Sequence, residues 1–193
     1  QMFIRYRQIV EVLETSFYGY LANYKDWLLV QVLAALSDEF DRSLGYGAAI
    51  DYLREKGVEY FNRETDSSKG YGNSITVDVT TAVDAANFKR ISVRGTVTEG
   101  NMMISRINDF DKLYFEPTGT AVLFIYKDRP GVIGKIGQSL ADADINIDDM
   151  RNPHDLSQEY SLALMRVSKT VPNNIVEEIA QDINALHSSS ITF

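Results

Sequence analysis

The order of apolar segments in residues 120–193 restricts the fold more than any other feature of the sequence. Strand patterns occupy "TAVLFIYK", "INIDDMR", "YSLALMRVS" and "SSSITF", and helix patterns occupy residues 130–143 and 172–186. Both helices are expected to begin on a proline, Pro130 and Pro172, because proline suits the first helical position. The order strand, helix, strand, strand, helix, strand places two crossovers on one sheet. It predicts a ferredoxin-like βαββαβ sandwich.

The first 117 residues predict a separate domain in which a sheet and helices are mixed. Strand patterns cover residues 2–13, 58–64, 74–81, 90–98 and 101–109, and helix patterns cover residues 26–40 and 48–56. Gly57 is expected to end the second helix, and Glu99 with Gly100 to join two antiparallel strands. Pro117 and Gly119 then interrupt the pattern. We therefore predict an α/β chain, in the broad α+β sense, with domains at residues 1–117 and 118–193.

Composition excludes several classes of function. The 193 residues carry a net charge of −8, which disfavours a nucleic-acid or anionic-membrane partner. The absence of cysteine, with only His154 and His187 as histidines, disfavours zinc clusters and cysteine nucleophiles. Neither a secretory signal nor an apolar run long enough to span a bilayer is present, so a cytoplasmic location is expected. The start at Gln1 suggests a piece of a longer polypeptide.

The segment "YKDRPGVIGKIGQSLADADINIDDM" contains three glycines, which raises the question of a dinucleotide fingerprint. That fingerprint needs its first two glycines in the turn, whereas Gly134 and Gly137 fall inside the predicted helix. Pro130 occupies the turn, and too few residues follow for a doubly wound sheet. Gly131 is therefore predicted to make the turn, and the other two glycines to let the helix approach the sheet or another chain.

The same segment has the complement of a free amino acid. The N–H groups of Gly131, Val132 and Ile133 would lie at a helix N-terminus, where an anion such as a carboxylate is favoured. Asp128 offers an acceptor for an ammonium group, and Asn146 offers both a donor and an acceptor. A small amino acid is therefore the predicted ligand.

The stretch "DRPGVIGKIGQSLADADINIDDM" resembles the signature of the ACT domain, and specifically that of the D-3-phosphoglycerate dehydrogenase family. Upstream, "GAAIDYLREKGVEYFNRET", "NSITVDV", "VRGTV" and "SRINDFDKLYFEPTGT" are similar to the intervening, allosteric substrate-binding domain of longer members. The resemblance implies the regulatory part of an NAD-dependent oxidoreductase of serine biosynthesis. Neither a catalytic site nor a cofactor is then expected in this chain, and NAD would bind a catalytic domain outside it.

In that family, ACT domains pair edge to edge into dimers or tetramers and bind L-serine at the interface as a feedback inhibitor. The resemblance thus implies self-association and an effector site. The implied site residues are Tyr126, Asp128, Pro130, Gly131, Val132, Ile133, Asn146 and Ile147. Tyr126 would wall the site or fill the interface. Glycine or another small amino acid remains an alternative effector.

The resemblance further implies an anionic site in the intervening domain. Its candidate residues are Arg90, Arg94, Arg106 and Lys112, although Asp109, Asp111 and Glu116 stand where relatives often have basic residues. Surface solvation is the alternative role of those cations. His154 is predicted to be an incidental loop residue, His187 to end the last helix, and no metal site is expected.

Two other functions remain open at this point. One is a stand-alone amino-acid sensor or regulatory subunit that acts on a separate partner. The other is a small dehydrogenase, for which the sequence offers no catalytic residues.

Overall fold

The computed structural model describes residues 10–63, 67–82 and 88–193. The chain divides into two compact units, Gln1–Met103 and Ile104–Phe193. Both combine helices with a sheet, which confirms the predicted α+β class. Within the described ranges, none of the helices is both long and apolar enough to cross a membrane.

In the first unit, helices cover one sheet. Its core contains Leu13 of the first strand and Leu29, Leu33 and Leu53 of the two helices. The elements are β1 (Val10–Phe17), α1 (Lys25–Leu36), α2 (Tyr46–Glu55), β2 (Glu59–Asn62), β3 (Ser74–Ala82) and β4 (Phe88–Thr98), with β5 (Asn101–Ile107) spanning the division between units. Short 3-10 helices cover Gly19–Tyr24 and Ser67–Lys69.

Turn chemistry in this unit agrees with the prediction. Gly57, with φ +70°, follows the end of α2, and Glu99 and Gly100 both have positive φ between β4 and β5. Helix α1 ends at Leu36, before the predicted residue 40, because Ser37 is extended. The strand predicted at residues 2–13 is described only from Val10, and it continues to Phe17. Its earlier part lies outside the described residues.

The second unit has the predicted ferredoxin-like order. After β6 (Phe110–Phe115) come β7 (Thr120–Lys127), α3 (Val132–Asp142), β8 (Ile147–Arg151), β9 (Tyr160–Val167), α4 (Asn173–Asp182) and β10 (Ala185–Thr192). The sheet order is β10-β7-β9-β8, and every neighbouring pair is antiparallel. Strands β7 and β8 are consequently parallel to each other, because both are antiparallel to β9.

Both faces of β7 are buried, because alternate side chains point to opposite faces of a sheet. Val122, Phe124 and Tyr126 pack in one core with residues of α3 and α4. Ala121, Leu123 and Ile125 pack in a second core with residues of β6.

Strand β6 is absent from the sequence prediction, which treats "DFDKLYFEP" as an acidic segment. Phe110, Leu113 and Phe115 are buried, but the first two are three positions apart, and Lys112 and Tyr114 have positive φ, so the strand lacks a regular period-two pattern. Because these apolar side chains pack with β7 and β9, the structure divides the chain after Met103, whereas the sequence places the boundary between residues 117 and 118.

The helix ends in this unit correct two predictions. Neither proline is the first helical residue: Pro172 is the N-cap of α4, and Pro130 precedes the N-cap of α3, Gly131. Gly131 has φ +89°, a conformation that glycine adopts without the steric cost of a Cβ atom. Helix α4 stops at Asp182, so His187 lies in β10 and does not end a helix.

Gly134 and Gly137 do not serve a close approach of α3 to the sheet. A Cβ atom at either position would meet open space, with no atom within 4 Å. Of the two predicted roles, contact with the sheet is therefore wrong, and contact with another chain stays a prediction.

The burial of β6 gives a first prediction. Phe115 is fully buried and its ring lies 6.2 Å from that of Phe193, so Phe115→Ala should destabilise the second unit by about 3–5 kcal/mol. Hydrogen exchange of the β7 and β9 amides would measure this loss. Tyr114→Ala is the matched control, because Tyr114 is 49% exposed and its removal should cost less than about 1 kcal/mol. Equal losses in the two variants would contradict the packing role of β6.

Candidate functional site

The turn between β7 and α3 is fixed from both sides. The Asp128 N–H donates to the Glu159 carbonyl at 2.8 Å, and the Arg129 guanidinium donates to the Ile183 carbonyl at the end of α4. The turn ends at Gly131, and no side chain caps α3. The first N–H groups of α3 therefore point out of the helix end without a side-chain acceptor.

Three polar side chains meet beside this turn. The Ser161 hydroxyl, which is fully buried, donates to Asp128 Oδ1 at 2.8 Å. His154 Nδ1 lies 3.1 Å from Ser161 Oγ and 3.8 Å from Asp128 Oδ2. The side chains of Asp128 and His154 are 39% and 45% exposed, so a solute can reach both. We call Asp128, Ser161 and His154 the polar cluster.

The polar cluster contains the residue types of a catalytic triad but not its geometry. In a triad the imidazole lies between the carboxylate and the hydroxyl and contacts each through a different nitrogen. Here the Ser161 hydroxyl donates directly to Asp128, and one nitrogen, Nδ1, faces both partners. Because Ser161 is also buried, this arrangement does not present an activated nucleophile to a substrate.

Hydrogen bonds hold the segment that carries His154 in place, both before and after that residue along the chain. The Asn152 amide donates to the Tyr126 hydroxyl at 2.9 Å and to the Leu162 carbonyl at 3.0 Å. Asp155 accepts from the Ser157 hydroxyl and from the N–H groups of Glu159 and Tyr160, which hold the pKa of its carboxyl below the ordinary value.

Tyr126 is a core residue and does not line the site as an exposed side chain. It is 1% exposed and packs with the residues beneath α3 and α4. Burial raises the pKa of its phenol above the ordinary value, and the bond from Asn152 opposes that rise. The side chain that borders Asp128 on the surface is that of His154.

The other predicted effector residues fall at two ends of the sheet. Pro130, Gly131, Val132 and Ile133 lie beside Asp128, although Val132 is buried. Asn146 lies at the start of β8. Its backbone N–H donates to the Ser168 hydroxyl, and its side-chain amide donates to Asp148 Oδ1 at 3.0 Å. The next residue, Ile147, packs against the core.

Strand register gives the separation of these two ends. Lys127 pairs with Tyr160 at one end of β9, and Ile147 pairs with Val167 at the other. At a rise of about 3.3 Å per residue, the two ends of β9 are roughly 23 Å apart. Asp128 and Asn146 of one chain therefore cannot contact the same small molecule.

Three of the four candidate anion ligands already have interactions within the chain. Arg90 bonds Asp78 at 3.1 Å and Glu14 at 3.3 Å, and the Arg94 guanidinium lies 3.6 Å from the centre of the Tyr71 ring. In the second unit Arg106 donates to the Asn108 carbonyl. Lys112 is exposed. An anion would have to compete with the two carboxylates for Arg90.

The glycine motif does not fit a dinucleotide. Gly134 and Gly137 lie within α3, so they cannot bring backbone N–H groups close to a pyrophosphate. Among the residues that the structure describes, no three histidine, aspartate or glutamate side chains gather to hold a metal ion.

Sequence reasoning missed Ser161 and underestimated His154. Ser161 is the one polar residue in the interior of the apolar run "YSLALM" and is fully buried, which is a usable signal, because a buried hydroxyl needs a partner. Its partner depends on the β7–β9 register, which pairs Ser161 with Tyr126. For His154 the sequence carries no comparable signal.

The fold and the site define the class of this chain: a ferredoxin-like module with a polar cluster beside a helix N-terminus. The curated relatives that it matches are D-3-phosphoglycerate dehydrogenases, which confirms the resemblance. The chain is 28% identical over 179 residues to the Bacillus subtilis protein, covering 91% of the chain and 31% of that relative. It is 27% identical over 128 residues to the Methanocaldococcus jannaschii protein, covering 66% of the chain and 23% of that relative.

The chain thus spans about a third of the length of the first of these relatives. Among solved structures, an ACT domain protein from Streptococcus pneumoniae aligns with 38% of the chain and 89% of its own length, at 18% identity and a TM-score of 0.30. No protein-family model matches the chain.

The raised pKa of Tyr126 gives a second prediction. Tyr126→Phe loses one hydrogen bond, worth about 0.5–1.5 kcal/mol, and should be less stable than the unsubstituted chain at pH 8. Above about pH 10 the unfolded phenol ionises before the folded one, so the unsubstituted chain loses stability that the variant keeps. The difference between their melting temperatures should therefore shrink as the pH rises. A constant difference from pH 8 to pH 11 would contradict this environment.

Proposed function

We propose that this chain is the regulatory region of a D-3-phosphoglycerate dehydrogenase and that two copies bind L-serine between them as a feedback inhibitor. The observation that carries the proposal is the pairing of an accessible carboxylate, Asp128, with the uncapped N-terminus of α3. The similarity to these dehydrogenases over most of the chain supports the regulatory role.

Asp128 is suited to bind the ammonium group of the effector. The Ser161 hydroxyl bonds Oδ1 and fixes the rotation of the carboxylate, while Oδ2 accepts no hydrogen bond within the described residues. A charge-assisted hydrogen bond from an ammonium group would satisfy Oδ2.

The N-terminus of α3 is suited to bind the carboxylate. The first N–H groups of a helix carry a partial positive charge and stabilise an anion. Gly131 has no side chain that would cover them, and Pro130 presets the backbone before the turn. The available surface suits one carboxylate.

Asn146 would complete the site from a second copy. Strand β8 is an edge of its sheet, so its outer backbone groups are open to pairing. Antiparallel pairing of two β8 edges about a two-fold axis would place Asn146 of one copy near Asn152 of the other, next to the polar cluster. This arrangement overcomes the separation of roughly 23 Å within one chain.

An effector bound between two copies would favour one dimer geometry. A coupling free energy of about 1–3 kcal/mol is typical of such regulation. The NAD-binding and catalytic parts of the enzyme would lie in the portion of the relatives that this chain does not match. Assembly as a dimer or a tetramer is compatible with the proposal.

A third prediction concerns the effector directly. Isothermal titration of the dimeric chain with L-serine should show saturable binding, and Asp128→Ala should reduce the affinity by at least about tenfold, because the ammonium group loses a charged partner. Asp142→Ala, an exposed site near the far end of α3, is the control. Absence of binding to a folded dimer would refute the proposal of a serine site.

A fourth prediction tests whether each site is shared by two chains. Asp128→Ala and Asn146→Ala should each abolish tight binding, since every site needs one residue from each copy. When the two variants are mixed and exchange subunits, each heterodimer regains one intact site, so about a quarter of all sites should recover. No recovery in a mixture with proven heterodimers would show that the two residues do not act across the interface.

A further inference from the structure

The proposed effector site has a polar group that the carboxylate and ammonium contacts do not use. His154 extends beside Asp128, with Nδ1 3.8 Å from Oδ2, and 45% of its side chain is exposed. Asn152 and Asp155 immobilise the backbone on either side of it. The imidazole is therefore a fixed part of the surface that a ligand on Asp128 would contact.

Hydrogen bonding in the polar cluster determines the tautomer of His154. A serine hydroxyl has one proton, and Ser161 donates it to Asp128 Oδ1. The contact of 3.1 Å between Ser161 Oγ and His154 Nδ1 then requires Nδ1 to carry a proton and donate. In the neutral imidazole, Nε2 is consequently a hydrogen-bond acceptor, and it has no partner within the described part of the chain.

We propose that His154 is a specificity-determining residue of the effector site, and that its Nε2 accepts a hydrogen bond from a hydroxyl on the ligand's side chain. This inference rests on the proposed function. An amino acid whose ammonium group binds Oδ2 has its Cα one bond from that group. Serine, whose side chain has two heavy atoms, would then extend its hydroxyl toward the neighbouring imidazole.

The surroundings favour a polar over an aliphatic side chain. The cluster consists of a carboxylate, a hydroxyl and an imidazole, and the aromatic ring nearest to them along β7, Tyr126, is buried. A methyl group would gain little apolar contact and would cover Nε2 without bonding it. A site built to bond a hydroxyl discriminates against the analogue that lacks it, because the polar group is left unpaired.

Calorimetry of L-serine and L-alanine on the dimeric chain tests this inference, since the two ligands differ by one hydroxyl. The unsubstituted chain should bind L-serine more tightly. His154→Ala should lower the affinity for L-serine by about tenfold, which is equivalent to one hydrogen bond. The affinity for L-alanine should not change. His154→Gln, which keeps a side-chain acceptor, should restore part of the preference. His187→Ala is the matched control, because His187 is the other histidine and lies on β10.

Nitrogen-15 NMR of the imidazole provides a readout that a merely structural role would not change. The free chain should show His154 with Nδ1 protonated, and the Nε2 resonance should shift on addition of L-serine but not of L-alanine. Equal weakening of both ligands in His154→Ala, or no change in either, would overturn the role of His154 while leaving the proposed function intact. Failure of the unsubstituted dimer to bind either amino acid would overturn both.

Discussion

The burial of β7 on both faces is the constraint on which the second unit depends. Its even-numbered side chains Val122 and Phe124 require the two helices, and its odd-numbered side chains Leu123 and Ile125 require β6. A strand that is buried on both faces has a continuous apolar sequence, as "TAVLFIY" shows. Exposing either face would cost about 25 cal/mol for each Å² of apolar surface. The two helices and β6 are therefore held to the same strand.

That constraint also explains why the polar cluster forms where it does. β7 is apolar as far as Tyr126 and polar immediately afterwards, so Asp128 lies at the point where burial ends. The antiparallel register of β9 then brings Ser161 beside it without any further contact being needed. A buried hydroxyl must be satisfied, and the carboxylate at the strand end is the acceptor that the register supplies. The burial of β7 and its pairing with β9 thus position the carboxylate of Asp128 and the hydroxyl of Ser161.

The sequence predicts the regular parts of this unit and misses those that depend on pairing. The βαββαβ order follows from hydrophobic periods, and Asp128 with the N-terminus of α3 follows from local turn chemistry. β6 is missed because positive φ at Lys112 and Tyr114 breaks its alternation. His154 and Ser161 are seven residues apart along the chain, joined by a turn that no periodic pattern marks. Their meeting depends on the Asp155 turn and the β9 register, which only the folded chain specifies.

The topology of the sheet also bears on the size of the ligand. Because β7 and β8 are parallel, the N-terminus of α3 and the start of β8 lie at opposite ends of the sheet. A site that needs both of these groups therefore cannot be formed by one chain alone. A dinucleotide would need two glycines in the turn before α3, but Gly134 and Gly137 lie within the helix. What remains at the Asp128 end is one oriented carboxylate, one helix terminus and one imidazole. The effector that we propose, with one charge of each sign and a short side chain, needs only a few groups that lie this close together.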